Sequence, residues 1–389
     1  MMKHPKTSVL IFTAFYLPGY KGGGPIRTIA NMVNTLGNEL DFSIVTLDRD
    51  LGDTAPYPSI NSNCWQPTHN ALIYYMSPSG SLANIWRVIR NFHGDAIHLN
   101  SFFSFRFGIL PLLVSSHLKP TLPIIIGPRG EFSEGALTLK FKKKQAYIKF
   151  VKFIGLYRKV IWHASTPLEA KDIHRVMGEA ITVRNAINIA TPKPELPLTA
   201  RDEGSPLKVI FLSRISPKKN LLGAIEILKS IECPLNFHVY GPVEDKSYWH
   251  ACREAAATLP SNISFEYKGA LSPDMVSPTM AEYDVFFFPT LGENFGHVIA
   301  EALSAGLPTL ISTNTPWRNL ENLGLGWDVP LEHPEAFAHC IQICYTMSSK
   351  GYLLWRRKIR SWALQNIGNQ ESVEQTRQLF TDLKLSHEH

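Results

Sequence analysis

Two glutamates beside a glycine-rich turn give residues 292–303 the clearest chemical character in the chain. The segment reads Gly-Glu-Asn-Phe-Gly-His-Val-Ile-Ala-Glu-Ala-Leu. An apolar strand predicted to end at Pro289 leads into a short loop, and a helix is predicted to begin near Gly296. The unpaired N–H groups and the positive dipole end of a helix start suit a phosphate group. Glu293 and Glu301 are therefore candidate ligand contacts, although an N-cap carboxylate and a solvated helix position explain the same spacing.

A second candidate site follows another predicted strand, in the segment Phe-Leu-Ser-Arg-Ile-Ser-Pro-Lys-Lys-Asn at 211–220. Arg214 and Lys219 lie just beyond the carboxyl end of that strand. An arginine can grip a diphosphate with a fork of N–H groups, and a lysine adds a point charge. A solvated basic loop is the alternative interpretation of the same residues.

Three consecutive glycines, residues 22–24, follow the first predicted strand. Glycine lets a backbone approach a ligand closely, but it also suits a plain tight turn. The pattern is not G-x-G-x-x-G, and no acidic residue ends the second strand in the manner of nicotinamide-binding domains. The segment therefore argues against a nicotinamide oxidoreductase.

The elements that position these segments are short apolar strands that alternate with helical stretches. Such alternation predicts mainly parallel sheets with helices on both faces. The predicted strands are Val9–Phe15, Phe42–Leu47, Leu72–Met76, Ala96–Leu99, Pro123–Gly127, Leu207–Leu212, Asn236–Tyr240, Ile263–Tyr267, Val285–Pro289 and Thr309–Ser312. The predicted helices are Ile26–Leu36, Leu221–Ile231, Lys246–Thr258, Gly296–Ala305, Pro334–Met347 and two pieces of Trp355–Leu383 around Gly368.

A proline-rich segment without apolar periodicity, Thr191–Pro206, marks a domain boundary. The 389 residues also fit two domains of ordinary size. We expect an N-terminal domain over 1–198, a C-terminal domain over 199–365, and a final helix in 366–389 that packs back toward the first domain. The predicted fold class is α/β, with two Rossmann-like doubly wound domains facing a central cleft, where ligands bind in such folds.

The positive charge of the chain is concentrated in residues 136–159. The net charge of +6 comes from 39 Lys and Arg against 33 Asp and Glu, and this segment holds eight of the bases and no acid. Such a local excess disfavours a general nucleic-acid-binding surface and favours a local anionic partner. Interleaved apolar residues predict a basic amphipathic helix on an anionic membrane surface. An ordinary helix with a solvated basic face is the alternative.

Five cysteines without a C-x-x-C pair favour buried, reduced thiols in a cytoplasmic protein over a disulfide framework or a zinc site. No apolar run reaches the roughly 18–20 residues that span a bilayer. The first residues imitate a signal peptide, but Pro18 and three glycines follow them, so a buried first strand is the preferred interpretation.

Taken together, these segments resemble glycosyltransferase family 4, a retaining family with the GT-B fold. Its E-x7-E signature matches Glu293 to Glu301, and its R-x4-K element matches Arg214 to Lys219, with Asn220 where many relatives have glycine. The strand-end glycines of the family match Gly241 and Gly269, and its N-terminal glycine loop matches residues 22–24.

The resemblance implies a nucleoside-diphosphate sugar as donor, and neither a metal nor another cofactor. Arg214 and Lys219 would neutralise the donor diphosphate, and Glu293 would hold hydroxyls of the donor sugar; these three would be the catalytic residues. Glu301 would accept hydrogen bonds from the ribose. Further donor contacts are expected from Gly23, Gly24, Gly241, Leu271, Asn294, Phe295 and Gly296. Asp48-Arg49-Asp50 has the shape of a D-x-D metal motif but lies after an N-terminal strand, outside the expected donor site.

The chain departs from the family pattern at two positions of the N-terminal half. Asn100 stands where many relatives have the second of two histidines, and Arg129 stands where relatives have a catalytic histidine. Arg129 and Glu131 in Gly-Pro-Arg-Gly-Glu-Phe resemble a bacterial polysaccharide-building subgroup. The sequence leaves open whether they contact donor or acceptor or form a loop-stabilising salt bridge.

The resemblance therefore implies transfer of a sugar to a glycan acceptor, expected to be lipid-linked, in bacterial surface polysaccharide biosynthesis (O-antigen, capsule or exopolysaccharide). We expect the enzyme at the inner face of the cytoplasmic membrane, bound through residues 136–159. Two alternatives stay open at this point. One is an epimerase or hydrolase of the nucleotide sugar, and the other is a non-catalytic protein that binds nucleotide sugars.

Overall fold

The computed structural model describes residues 6–79, 81–138, 140–190 and 196–383. The chain divides into two compact units. The first unit consists of Met1–Ile189 together with Asn369–His389, and the second unit is Ala190–Gly368. Each unit is built around its own sheet and is described separately below.

The strands and helices of the described residues alternate along most of the chain. The strands are β1 (Ser8–Phe12), β2 (Asp41–Leu47), β3 (Trp65–Pro67), β4 (Ala71–Met76), β5 (Ala96–Leu99), β6 (Ile124–Ile126), β7 (Ile161–Ala164), β8 (Thr182–Asn185), β9 (Leu207–Leu212), β10 (Leu235–Tyr240), β11 (Ile263–Gly269), β12 (Val285–Phe288), β13 (Thr309–Ser312) and β14 (Gly326–Val329). The helices are α1 (Gly24–Leu36), α2 (Ser81–Asn91), α3 (Leu110–Leu118), α4 (Glu134–Thr138), α5 (Phe141–Phe153), α6 (Pro167–Met177), α7 (Leu221–Leu228), α8 (Lys246–Ala256), α9 (Val276–Ala281), α10 (His297–Ser304), α11 (Leu320–Leu323), α12 (Pro334–Thr346), α13 (Ser349–Asn366) and α14 (Gln370–Thr381). A π-helical turn at Phe105–Ile109 precedes α3, and a 3₁₀ turn at Pro217–Lys219 precedes α7.

The first unit contains an eight-stranded sheet in the order β3-β4-β2-β1-β5-β6-β7-β8. Neighbouring strands are parallel except for β3, which runs antiparallel to β4. Leu10 and Phe12 of β1 belong to one apolar core, whereas Val9 and Ile11 belong to another. Alternate side chains of a strand point to opposite faces, so this sheet is covered on both faces.

The second unit contains a six-stranded sheet in the order β11-β10-β9-β12-β13-β14, in which all pairs are parallel. Its central strand β12 reads Val-Phe-Phe-Phe and is fully buried, as is typical of a parallel strand that is covered on both faces. The strand order reverses between β9 and β12, which is the place where ligands bind in such sheets. These two sheets confirm the α/β class of two doubly wound domains.

The last helix, α14, belongs to the first unit. Its Arg377 Nε lies 2.5 Å from Glu39 Oε2, and the ring of Phe380 meets that of Phe42 edge to face at 6.3 Å. The Gln375 side chain accepts a hydrogen bond from the Ile187 N–H at 3.2 Å. These polar and aromatic contacts hold the helix against the first sheet.

Two expectations about the chain need correction. The basic segment 136–159 is not one helix, because it comprises the end of α4, the whole of α5 and a turn at Gly155 with φ 65°. Four of the cysteines are buried and unpaired as expected, but Cys64 is exposed.

Within the described residues, no helix is both long enough and apolar enough to cross a membrane.

Candidate functional site

The predicted donor residues of the second unit lie at one edge of its sheet. Strands β10, β9 and β12 are neighbours and run parallel, so their carboxyl ends meet at the same edge. Arg214 and Lys219 follow β9, Gly241 follows β10, and Glu293 follows β12. The topology therefore brings together segments that are up to eighty residues apart in sequence.

Lys219 and Glu293 form an ion pair between Lys219 Nζ and Glu293 Oε1. Their side chains are only 14% and 11% exposed. The ammonium also lies 5.7 Å above the ring of Phe288, and the Thr290 hydroxyl lies 3.5 Å from the same carboxylate oxygen. Each charge is thus removed from most of its water and compensated mainly by the other.

The loop after β12 is tied to the loop after β9 by three hydrogen bonds. The Leu291 N–H and the Thr290 hydroxyl both donate to the Lys218 carbonyl, at 3.0 and 3.1 Å. The Asn220 side-chain amide donates to the Pro289 carbonyl at 2.8 Å. These bonds explain why Lys219 and Glu293 meet, since they fix the register of the two loops.

Asn220 stands where many relatives have glycine, and the structure gives a reason why it fits. Its φ of 60° places it in the left-handed region, at the start of α7. Asparagine is one of the few residues with a side chain that adopts this conformation readily. It therefore keeps the turn and adds the bond to Pro289 that a glycine cannot make.

The start of α10 presents backbone rather than a capping side chain. Its N-cap is Gly296, with φ 80°, and glycine has no side chain to accept a bond from the first N–H groups. The preceding carbonyl of Phe295 accepts a hydrogen bond from Trp317 Nε1 at 2.6 Å. The ring of Phe295 is buried against His297 and Trp317, so it supports the turn. Asn294, between Glu293 and Phe295, is half-buried.

Glu301 lies on α10 and is only 8% exposed. The alternative of a solvated helix position is therefore wrong for this residue. Glu301 is the fifth of the eight residues of α10, and burial removes its carboxylate from most of its water. It follows Glu293 by eight residues, as in the E-x7-E signature.

Arg214 pairs with a carboxylate that the sequence analysis did not single out. Its Nη1 lies 3.0 Å from Glu244 Oε2, and the two side chains are 29% and 37% exposed. A backbone bond from the Glu244 N–H to the Ile215 carbonyl, at 3.2 Å, holds the two loops side by side. The only signal for Glu244 in the sequence is its place three residues after the strand-end glycine Gly241.

Gly241 occupies a position that only glycine fits. Its φ is 135°, and a Cβ there would lie 1.8 Å from the Ser213 carbonyl oxygen. Its N–H donates to the Gly269 carbonyl at 2.8 Å, and its own carbonyl accepts from Tyr267 Oη at 2.8 Å. Leu271 is half-buried and packs against the core of the second unit.

The glycine loop of the first unit is organised by buried aspartates. Gly23, with φ 73°, is the N-cap of α1, and Gly24 is its first residue. The Asp50 carboxylate accepts from the N–H groups of Tyr20 and Lys21 at 2.7 and 3.0 Å. The D-x-D-shaped segment therefore supports this loop. Among the described residues, no group of three His, Cys, Asp or Glu side chains could hold a metal ion.

Asn100 and Arg129 meet at the edge of the first sheet, beyond β5 and β6. Arg129 Nε and Nη2 donate to Asn100 Oδ1 at 3.0 and 2.7 Å, and Nη1 donates to Asn188 Oδ1 at 3.2 Å. Burial lowers the pKa of Arg129 to about 10, which leaves it charged at neutral pH. Arg129 is therefore held by amide oxygens, and the salt-bridge alternative does not apply to it.

Glu131 is occupied by the loop after β5. Its carboxylate accepts from the Ser101 hydroxyl at 2.7 Å and from the N–H groups of Phe102 and Phe103 at 2.6 and 3.1 Å. Burial raises the pKa of Glu131 above its usual range. These contacts give it a structural role in that loop, and they explain why it does not pair with Arg129.

Two buried histidines lie beneath Arg129. His98 Nε2 and His163 Nδ1 are 3.4 Å apart, and His163 Nε2 lies 2.9 Å from the Ala186 carbonyl. That carbonyl can only accept, so His163 carries its proton on Nε2 and His98 donates to His163 Nδ1. Burial lowers the pKa of His163 to about 3 and that of His98 well below its usual range. Both rings are therefore neutral.

Comparison with known sequences matches residues 206–346 to the family described as Glycosyl transferases group 1. A curated relative, the sulfoquinovosyl transferase SQD2 of Arabidopsis thaliana, is 27% identical over 259 residues. The match covers 61% of this chain and 47% of that protein. The chain thus spans about half the length of the curated relative that it matches.

Solved structures resemble the chain over nearly its whole length. HepE of Anabaena, in complex with UDP and glucose, has a TM-score of 0.68 at 12% identity and covers 97% of this chain and 99% of its own. WaaG, a glycosyltransferase involved in lipopolysaccharide biosynthesis, has 0.63 at 14%, with 96% and 99% covered. The trehalose-6-phosphate synthase OtsA has 0.65 at 9%, with 98% and 99% covered. The chain therefore has the GT-B fold, and residues 206–346 of its second unit match the family described as Glycosyl transferases group 1.

Proposed function

We propose that this protein transfers a sugar from a nucleoside-diphosphate sugar, and that the donor binds at the Lys219–Glu293 pair of the second unit. The observation that carries the proposal is this mostly buried ion pair, which lies within the matched domain and beside the start of α10. HepE has been solved with UDP-glucose, a donor of this class.

The charges of the site suit a diphosphate. Lys219 and Arg214 each have a carboxylate partner, which compensates the charge of each cation. A diphosphate offers more negative charge than one carboxylate, and it can therefore draw Lys219 away from Glu293. Glu293 is then released to hold hydroxyls of the donor sugar, and the buried Glu301 accepts bonds from the ribose.

We infer a retaining, metal-independent reaction from the same charges. Lys219 and Arg214 would neutralise the leaving diphosphate as the sugar departs, which is the charge that a divalent cation supplies in other transferases. In a front-face attack, the leaving phosphate oxygen takes the proton of the acceptor hydroxyl. The second unit then needs no protein base near Glu293.

The acceptor side of the proposal rests on the outer face of α5. Phe150 and Phe153 are 59% and 88% exposed, and the exposed Lys142, Lys143 and Lys149 lie on the same side of the helix. Water does not favour exposed aromatic rings, whereas a membrane interface takes both rings and lysine stems. Each base near an anionic surface contributes about 1 kcal/mol.

We therefore propose that the acceptor is a lipid-linked glycan of bacterial surface polysaccharide assembly, met at the cytoplasmic face of the membrane. WaaG, which shares the fold, is involved in lipopolysaccharide biosynthesis. The test is sedimentation with anionic liposomes, comparing wild type with a Phe150→Ser, Phe153→Ser variant. Leu354→Ser is the matched control, because Leu354 is similarly exposed but lies in the second unit. Equal binding by all three proteins would contradict the membrane proposal.

The donor proposal is tested by thermal-shift titration with UDP, GDP, ADP and CDP and their common sugars, with and without a chelator. We expect one nucleotide family to stabilise the wild type, the chelator to have no effect, and Lys219→Ala to lose the shift. Stabilisation by none of them in a folded sample would contradict the proposal. Release of the nucleotide at full rate without any acceptor would instead indicate the epimerase or hydrolase alternative.

A further inference from the structure

Arg129 of the first unit is a cation whose hydrogen-bond partners are neutral. Three of its five N–H groups donate to the amide oxygens of Asn100 and Asn188. Within the described ranges, its other two N–H groups donate to no protein atom, and no carboxylate oxygen lies within ion-pair distance of the guanidinium. A half-buried arginine in a folded protein is ordinarily compensated by a carboxylate.

The nearest carboxylates are engaged elsewhere. Glu131 accepts from Ser101 and from two backbone N–H groups. Glu169 is buried, and its oxygens accept from the Gly130 N–H at 2.7 Å, the Ser165 N–H at 2.8 Å and the Ser165 hydroxyl at 2.6 Å. It attracts Arg129 only at longer range. The neutral pair of His98 and His163 supplies no negative charge either.

The chain is shaped to hold the guanidinium in this place. Arg129 has a φ of 53°, in the left-handed region that residues with a side chain adopt at a cost. A Cβ on Gly127 would lie 3.1 Å from Arg129 Cζ, so the absent side chain leaves the space in which the guanidinium lies. Asn100 and Asn188 are only 7% and 6% exposed, which fixes the direction of their oxygens.

We propose that Arg129, oriented by Asn100 and Asn188, binds a phosphate group of a substrate in the first unit. The planar fork of an arginine matches two oxygens of a phosphate, and the two N–H groups that remain are the ones available for it. The inference rests on the proposed function for the identity of the substrate. A nucleoside diphosphate and a phosphate carried by the second substrate share this chemistry.

The test uses the full chain, with inorganic phosphate as the probe, in a Lys219→Ala background that removes the main cation of the second unit. Asn188→Asp is the central variant, because it places a carboxylate against Arg129 with almost no change of shape. Asn100→Asp and Arg129→Gln are the companion variants. Binding is measured by calorimetry, and folding by the thermal transition.

We expect each of the three variants to weaken phosphate binding at least tenfold, while Asn188→Asp keeps or raises the transition temperature. A merely structural Arg129 predicts the same stabilisation by Asn188→Asp but no change in phosphate binding. Phosphate affinity within twofold of the background in a folded Asn188→Asp or Arg129→Gln protein would overturn the proposal.

The source of the phosphate is identified with the nucleotide that stabilises the wild type. If Arg129→Gln, with Lys219 intact, weakens binding of that nucleotide as well as of phosphate, the nucleoside diphosphate is the source. If it weakens phosphate alone, the phosphate belongs to the second substrate. Failure of every nucleotide to bind the wild type would contradict the proposed function. The phosphate titration would still test whether Arg129 binds phosphate.

Discussion

The two units differ in the groups that compensate their cations. In the second unit, Lys219 is paired with the carboxylate of Glu293, and Arg214 with that of Glu244. In the first unit, Arg129 is held only by the amide oxygens of Asn100 and Asn188. Lys219 and Arg214 are therefore each compensated by a carboxylate, whereas Arg129 has no carboxylate within ion-pair distance among the described residues. Substitutions in the two units are therefore expected to differ in their effects on stability and on ligand binding.

Lys219→Ala has the largest expected effect. Removal of one partner of a mostly buried ion pair leaves Glu293 uncompensated, which costs about 3–5 kcal/mol of unfolding free energy. Loss of the same cation weakens donor binding about a hundredfold. Chemical denaturation and calorimetry measure the two effects.

The double variant Lys219→Ala, Glu293→Gln separates the two consequences. It removes the stranded carboxylate, so more than half of the lost stability returns, whereas donor binding stays weak. Stability that does not recover would show that the cost lies in packing around Phe288 and not in charge.

Glu301→Ala is expected to weaken donor binding by tenfold to a hundredfold, because a hydrogen bond to a charged group contributes about 1.5–3 kcal/mol. Turnover at saturating donor changes little. Glu293→Gln is expected mainly to reduce turnover. Steady-state kinetics distinguish the two, and Glu282→Ala is the control, since Glu282 is an exposed carboxylate of the same unit. A swapped pattern would exchange the roles of Glu293 and Glu301.

A drop in pH tests the first unit, because burial and the charge of Arg129 keep its histidines His98 and His163 neutral. The folded pKa of His163 is about 3, below the ordinary value of 6.5. The unfolded chain therefore binds a proton that the folded chain refuses, and stability falls as the pH drops from 6.5 toward 3. The free energy of unfolding falls by about 1.4 kcal/mol per pH unit for each histidine.

Urea unfolding of wild type and His163→Gln between pH 7 and pH 4 measures this slope. In the variant, we expect the free energy of unfolding to fall less steeply with decreasing pH, by the contribution of one histidine. Equal slopes would mean that His163 is protonated in the folded state.

Arg214→Ala has the smallest expected effect on stability. Its pair with Glu244 is partly exposed, and such pairs contribute about 0–1 kcal/mol. Donor affinity is still expected to fall about tenfold, because the loss concerns a diphosphate contact and not a structural one. A stability loss as large as that of Lys219→Ala would remove the distinction between the two cations.

The sequence predicted most of the fold because a parallel strand buried on both faces is a continuous apolar run. Leu207–Leu212 and Thr309–Ser312 were predicted with the bounds that the structure has. The strands β3, β7, β8 and β14 were missed. Strands β3, β8 and β14 lie at sheet edges, where burial does not select apolar residues. Strand β7, Ile-Trp-His-Ala, is internal and fully buried, but it has only four residues and a histidine interrupts its apolar run.

The candidate site was predicted less completely than the fold. A local sequence pattern predicted Glu293, Lys219 and Glu301. The burial of Glu301 excludes the alternative of a solvated helix position. The partners Glu244 and Asn188 were missed because they depend on strand order. Asn188 lies 59 residues from Arg129 and reaches it across the end of β7. No spacing in the sequence carries that information.

We propose that the ion pair between Lys219 and Glu293 opens when the donor diphosphate binds. Calorimetry of Glu293→Gln tests this proposal, with the nucleoside diphosphate that stabilises the wild type and with the corresponding nucleotide sugar. We expect the variant to bind the nucleoside diphosphate at least as tightly as the wild type, because Lys219 is released. We also expect it to bind the nucleotide sugar no better than the nucleotide. Loss of affinity for the nucleoside diphosphate itself would show that Lys219 and Glu293 do not open in this way.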